Sequence, residues 1–98
     1  MSTPIVIKNS DIQGVGVFTV YTVTKDTVLG VVIDKNNAIT YVGSKINHSY
    51  NPNSRIVYDL TTKEYCLVSS KNIAPNKEIT ADYTFTPDFI AKPDPLWN

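Results

Sequence analysis

Short runs of apolar and β-branched residues alternate along the chain with clusters of Asn, Asp, Ser, Gly and Pro. Runs of roughly four to eight such residues between turn formers are typical of β-strands. The run at residues 28–33 is apolar throughout and predicts a buried strand. Further strands are predicted at residues 5–8, 12–20, 38–42, 55–60, 64–69, 71–73 and 79–83.

Two features of this pattern predict the fold class. Residues 55–60 and 64–69 flank a turn at 61–63, which predicts a β-hairpin. No segment has the apolar spacing of a helix of ordinary length. Short strands at close spacing therefore predict one compact, mainly β domain with little or no helix.

The C-terminal segment, residues 84–98, departs from the strand pattern. Its prolines, Pro87, Pro93 and Pro95, exclude a long helix. Its aromatic and aliphatic side chains are too apolar for a free tail, so we expect the segment to fold back and pack.

Length, charge and cysteine content narrow the range of functions. A chain of 98 residues is expected to form a single domain with a small core. Its formal net charge is zero and it has no Lys/Arg block, which argues against direct binding to nucleic acid or to a membrane. One cysteine and one histidine predict neither an internal disulfide nor a metal site. The N-terminus lacks the pattern of a signal peptide, so we expect a protein that is not secreted.

Side-chain donors and acceptors and a proline are concentrated in the stretch Ile-Asn-His-Ser-Tyr-Asn-Pro-Asn at residues 46–53. Asn, Ser and Pro favour turns, so the stretch predicts a sharp loop. It also contains the histidine, His48. Taken alone, the loop is compatible with a functional site and equally with a plain turn that exposes its histidine.

Two glycines, Gly14 and Gly16, interrupt the second strand. Glycine lets a backbone curve, or lets another group approach it closely. A β-bulge without a ligand and a ligand-binding turn are both open interpretations. A dinucleotide-binding fingerprint is excluded, because no third glycine and no helix follow.

Three segments in this order, residues 14–18, 46–53 and 77–83, resemble the motifs of the SET-domain protein lysine methyltransferases. In size the chain is similar to their smallest stand-alone viral or bacterial members. The resemblance implies small curled β-sheets and a C-terminal pseudoknot, in which the end of the chain threads beneath the segment containing Asn47 and His48. The whole chain, residues 1–98, would then be one SET domain, with 84–98 packing over the active site.

The resemblance also implies a site for S-adenosylmethionine. Asn47 is expected to bind the amino-acid end of the cofactor through its amide, and His48 is expected to act through its backbone. Phe85 and Trp97 are interpreted either as an adenine cover or as core packing. The residues implied to bind the cofactor are Gly14, Val15, Gly16, Asn47, His48, Tyr83, Phe85 and Trp97.

Tyr83, at the end of the third motif, is the residue implied to orient the acceptor amine in catalysis. Tyr41 is a second candidate for the methyl-transfer channel, although a surface tyrosine fits the sequence equally well. The attacking lysine must be neutral. Its usual pKa near 10.4 makes this cost roughly 4 kcal/mol at neutral pH, which desolvation and the cofactor's sulfonium offset.

The chain departs from the family pattern at three places. The link between residue 33 and the loop is short, so one wall of the peptide groove is missing. Tyr50 stands where many relatives have cysteine. Ala81 replaces a larger aromatic residue, which predicts room for more than one methyl group.

Three functions follow as hypotheses. The first is a protein-lysine N-methyltransferase acting on a histone tail or another protein lysine. The second is a non-catalytic module that binds peptide or cofactor, and the third is a purely structural β-domain. The resemblance places the protein in a cytoplasm or a host nucleus, and its small core suggests a homodimer.

Overall fold

The computed structural model describes residues 4–12 and 14–82. The described part is mainly β, as predicted, with seven strands and one short helix. In chain order, the elements are β1 Ile5–Asn9, β2 Val15–Thr19, β3 Val28–Ile33, α1 Tyr41–Lys45, β4 Asn47–His48, β5 Ser54–Asp59, β6 Glu64–Ser69 and β7 Glu78–Ala81.

The strands form two small sheets. One has the order β1-β2-β7-β4 and the other β3-β6-β5. Strand β7 is central in the first sheet: it pairs antiparallel with β2, where Phe18 lies opposite Glu78, and parallel with β4, where Asn47 lies opposite Thr80. This arrangement brings together strands that are far apart in the sequence.

The second sheet contains the predicted hairpin. Strands β5 and β6 are antiparallel in a continuous register that ends at the pair Asp59 and Glu64. Lys63 closes the turn with a φ of 62°, in the left-handed region that favours glycine. Strand β3 pairs with the other side of β6.

The hydrophobic core draws on both sheets. In the first sheet, Val17 and Ile79 lie opposite each other and are fully buried. Because side chains alternate along a strand, Gly16 and Glu78 face the other side of the sheet. The buried core consists of Val17, Val23, Leu29, Val32, Ile33, Ile46, Leu67, Ile73, Ile79 and Ala81.

The predicted strand at 38–42 is wrong, because helix α1 begins at Tyr41. The Thr40 hydroxyl caps this helix by accepting a hydrogen bond from the Gly43 amide at 3.0 Å. A side chain at Gly43 would collide with the backbone carbonyl of Val32, so the glycine allows the helix to lie against β3. These local contacts outweigh the β preference of Ile39, which forms only an isolated bridge to Ile33.

Other strand predictions are confirmed in part. The strand at 28–33 is present, but Val28 at its start is 62% exposed rather than buried. The segment at 71–73 forms an isolated bridge between Val23 and Ile73 instead of a strand. The last strand ends at Ala81. The predicted packing of residues 84–98 and the pseudoknot lie outside the described residues.

Candidate functional site

A polar network on the non-core face of the first sheet joins strands β2, β4 and β7 to the turn after β1. The Asn47 side-chain nitrogen donates to the Glu78 carboxylate at 2.7 Å. It also lies 3.1 Å from the Ser10 hydroxyl and 3.2 Å from the backbone carbonyl of Val15. Since all three partners are acceptors, the orientation of the Asn47 amide is fixed, and its oxygen points away from Glu78.

Ser10 closes the network into a ring. Its hydroxyl donates to the other oxygen of the Glu78 carboxylate at 2.6 Å and accepts from the Ile12 amide at 2.9 Å. Short bonds to a carboxylate are the stronger kind in proteins. The network therefore holds the turn after β1, the start of β2, β4 and β7 in one arrangement.

Glycine is favoured at Gly16, inside β2, and at Gly14, in the turn before it, for different structural reasons. A methyl group on Gly16 would collide with the Glu78 carboxylate and lie 3.2 Å from the Asn47 side-chain nitrogen. Gly14 has a φ of 52°, and nothing lies within 4 Å of the position that its methyl group would take. Gly16 thus makes room for Glu78, whereas Gly14 allows the turn and borders open space.

His48 is part of a strand instead of an exposed loop. Its side chain is only 3% exposed, and its ring packs edge-on against Tyr50 with centroids 4.3 Å apart. Its Nδ1 lies 3.9 Å from the Asp82 carboxylate. The Ser49 amide donates to Ala81 of β7 at 3.0 Å. Because strand amides alternate in direction, the His48 amide points away from β7.

The rest of the loop, residues 49–53, is anchored by Asn53. Its side-chain nitrogen donates to the Glu78 backbone carbonyl at 2.8 Å, and its oxygen accepts from the Thr80 amide at 3.1 Å. One amide side chain therefore substitutes for a strand partner along β7. This anchoring keeps Asn47 and His48 in register with β7.

Comparisons with known proteins identify the family and the fold of the chain. The profile of the SET domain matches residues 7–84, which is most of the chain. The chain belongs to the SET-domain family.

A solved structure with the same fold is that of a Plasmodium falciparum protein named as a candidate histone methyltransferase. It is 20% identical to this chain, covers 88% of it and 97% of its own length, and superposes with a TM-score of 0.70. No curated protein sequence matches the chain significantly. The resemblance inferred from the three motifs is confirmed, and the protein is a member of a methyltransferase family.

Several predicted SET-domain site residues meet in the structure. Val15 and Gly16 lie beside Asn47, Gly14 precedes them in the turn before β2, and His48 follows Asn47 in β4. Tyr41 instead stands at the start of α1, where it is 69% exposed and its ring lies 5.5 Å from the Lys45 ammonium nitrogen. Its role in the channel remains a prediction. The other predicted site residues, Tyr83, Phe85 and Trp97, lie outside the described residues.

Two members of the network, Ser10 and Glu78, were not predicted from the sequence. The signal for a close neighbour was present, because a glycine inside a strand often marks the close approach of another group. The identity of that group depends on the pairing of β2 with β7, which joins residues about sixty positions apart. No local pattern reveals it.

Ala81, where the SET-domain resemblance predicts extra room for methyl groups, is fully buried in the hydrophobic core. An open cleft of about 390 Å³ lies between the loop after β4 and the segment before β7. Its lining residues are Asn51, Asn53, Lys71, Asn72, Ile73, Ala74, Lys77 and Glu78.

Within residues 4–12 and 14–82, no three His, Cys, Asp or Glu side chains cluster as metal ligands would. In the same part of the SET domain, no helix has the length and apolarity needed to span a bilayer.

Proposed function

We propose that this SET domain transfers a methyl group from S-adenosylmethionine to the side-chain amine of a protein lysine. The observation that carries the proposal is the contact between the Asn47 side chain and the Val15 carbonyl at 3.2 Å. This contact joins the first and second SET-domain motifs, and β4 pairs directly with β7, which is part of the third.

The residues at this end of the sheet fit the chemistry of S-adenosylmethionine. The cofactor has an ammonium, a carboxylate, a sulfonium and an adenine. The Asn47 amide oxygen suits the ammonium, since it points away from the network that holds its nitrogen. The open space beside Gly14 leaves its backbone accessible to a ligand. The backbone of His48 runs along β4, an edge strand among the described strands.

The cofactor, when bound, supplies a methyl group on a positively charged sulfur. The protein's part is to hold the acceptor amine in line with that methyl group and to keep the amine neutral by excluding water. We assign the orientation of the amine to Tyr83, two residues after β7. The buried ring of His48 supports a packing role for that ring, and we assign it no proton transfer.

The acceptor is proposed to be a protein lysine, and a histone tail is the first class to test. The Plasmodium falciparum protein with this fold is named for histone substrates, which makes them the natural starting set. A homodimer is proposed as well, because a second subunit would supply the groove wall that the short link omits. Sedimentation at micromolar concentration measures this, and a monomer that still methylates peptide would contradict it.

A second candidate function is a SET-like module that binds cofactor or peptide without turnover. The observation that favours it is the short link between β3 and β4, residues 34–46, in which the one regular element is the five-residue helix α1. A link of this size builds little of a peptide groove.

One experiment separates the two functions. The protein is incubated with methyl-labelled S-adenosylmethionine and a panel of histones and lysate proteins, and labelled lysines are identified by mass spectrometry. The methyltransferase proposal requires transfer by the native protein, and loss of transfer with retained cofactor binding in Tyr83→Phe. Binding without transfer to any acceptor would favour the second function. Absence of binding would contradict both.

A further inference from the structure

Glu78 is held in the network by neutral donors. Its two carboxylate oxygens accept hydrogen bonds from Ser10 at 2.6 Å and from Asn47 at 2.7 Å. Within residues 4–12 and 14–82, Arg55 pairs with Asp26 at 2.9 Å, His48 Nδ1 lies 3.9 Å from the Asp82 carboxylate, and no lysine or arginine lies within 4.0 Å of the Glu78 carboxylate.

The position of this charge is fixed by its surroundings. Glu78 is half-buried, and the space that it occupies exists because Gly16 has no side chain. Ser10 and Asn47 hold both carboxylate oxygens, so the charge cannot move away without breaking two short hydrogen bonds.

A half-buried carboxylate without a cationic partner attracts a positively charged ligand. S-adenosylmethionine and its demethylated product, S-adenosylhomocysteine, share the ammonium, the carboxylate and the adenosine. They differ in the sulfonium, which carries a positive charge only in the methyl donor. A fixed negative charge at this end of the sheet therefore acts on the difference between donor and product.

We infer that Glu78 is a selectivity residue, which makes the site bind the charged methyl donor more tightly than the neutral thioether product. The inference rests on the proposed function, because it requires the cofactor to lie beside Asn47. Its consequence for turnover is easier release of the product, since the attraction disappears when the methyl group leaves the sulfur.

The test compares dissociation constants by titration calorimetry for S-adenosylmethionine and S-adenosylhomocysteine. Glu78→Gln removes the charge and keeps the size; its amide oxygen can still accept one of the two bonds from Ser10 and Asn47, whereas its amide nitrogen cannot accept the other. We expect this variant to lose about tenfold in affinity for the donor, the scale of one charge interaction across a half-buried site. Affinity for the product, which keeps the ammonium but lacks the sulfonium charge, should fall by clearly less, so the donor-to-product preference should fall severalfold.

Two further variants separate charge from structure. Glu64→Gln makes the same chemical change at the other glutamate of the chain, on the hairpin of the second sheet, and should leave both affinities unchanged. Glu78→Asp keeps the charge but shortens the side chain, so it should retain most of the donor preference. Circular dichroism melting of each variant checks that it is folded.

The outcomes are distinct. Equal weakening of donor and product in Glu78→Gln would overturn the inference, because Glu78 would then act only by positioning Asn47. Unchanged affinity for both compounds would overturn it as well. If the native protein binds neither compound, the proposed function itself fails, and the inference fails with it.

Discussion

Replacing Gly16 with alanine tests the polar network at its most crowded point. The added methyl group would collide with the Glu78 carboxylate and lie 3.2 Å from the Asn47 side-chain nitrogen. Glu78 must then turn toward solvent, because it is half-buried while the backbone of β2 is paired on both sides. The substitution should therefore break the bonds from Ser10 and Asn47 to Glu78.

The expected change in the free energy of unfolding of Gly16→Ala is the difference between two effects. Loss of hydrogen bonds to a charged group typically costs about 1.5–3 kcal/mol. Alanine is better than glycine inside a strand by roughly 0.5–1 kcal/mol. We expect the free energy of unfolding to fall by about 1–2 kcal/mol, which corresponds to a decrease of about 4–16 °C in Tm for a domain of this size.

A double-mutant cycle with Glu78→Ala tests whether the loss of stability in Gly16→Ala comes from the contact with Glu78. Once the carboxylate is absent, Gly16→Ala should be neutral or should raise the free energy of unfolding by up to about 1 kcal/mol, so the coupling energy is about 1–3 kcal/mol. Urea unfolding followed by circular dichroism gives all four values.

Gly30→Ala is the matched control for this cycle. Gly30 also lies inside a strand, but the nearest atom to its added methyl group would be 4.0 Å away. It should be neutral or slightly stabilising. The same loss for Gly16→Ala with and without Glu78, or equal effects at both glycines, would show that the contact with Glu78 is not the cause of the lost stability.

Asn53, Lys63 and Cys66 lie outside the contact between Gly16 and Glu78, and their effects can be tested separately. Asn53→Asp should lower the free energy of unfolding by about 2–3 kcal/mol in urea, because it places an oxygen against the Glu78 carbonyl where the Asn53 nitrogen now donates at 2.8 Å; a loss below about 0.5 kcal/mol would argue against the anchor. Lys63→Gly should raise the free energy of unfolding by about 1 kcal/mol, because Lys63 has a φ of 62°; Lys71→Gly, which removes the same side chain where no positive φ occurs, should not stabilise the protein. Burial, and then the charges of Asp59 and Glu64, raise the pKa of the Cys66 thiol. Iodoacetamide should therefore modify Cys66 more slowly than free cysteine at about pH 8.5, and Asp59→Asn should speed the reaction; an unchanged rate in that variant would contradict the charge effect. Because the folded state holds this proton more tightly, the contribution of Cys66 to stability should decrease as the pH rises through the raised pKa.

The strands could be predicted where local sequence and long-range pairing agree. The hairpin of β5 and β6 is an example, because β-branched residues flank a short polar turn and the partner strand is adjacent in sequence. The strand prediction at 38–42 was wrong for the opposite reason. There the Thr40 cap and the close contact of Gly43 with β3 produced a helix from residues with β preference.

From the sequence, the candidate site could be predicted only for residues that the family motifs identify. Asn47, His48 and the glycines of β2 carry a recognisable order along the chain, and the match to the SET domain confirms the family. The role of Ser10 and Glu78 depends on which strands become neighbours. Pairing of β7 with both β2 and β4 is a property of the whole sheet, so it cannot be derived from the sequence around either residue.

We infer that the start of β2 and strand β4 form one binding site for S-adenosylmethionine. Titration of the isotope-labelled protein with the cofactor, followed by amide nitrogen–proton NMR spectra, tests it directly. We predict that the largest shifts occur at Gly14, Val15, Gly16, Asn47 and His48, while the hairpin of β5 and β6 is unaffected. Shifts concentrated in the hairpin, or no shifts at a saturating concentration, would contradict the claim.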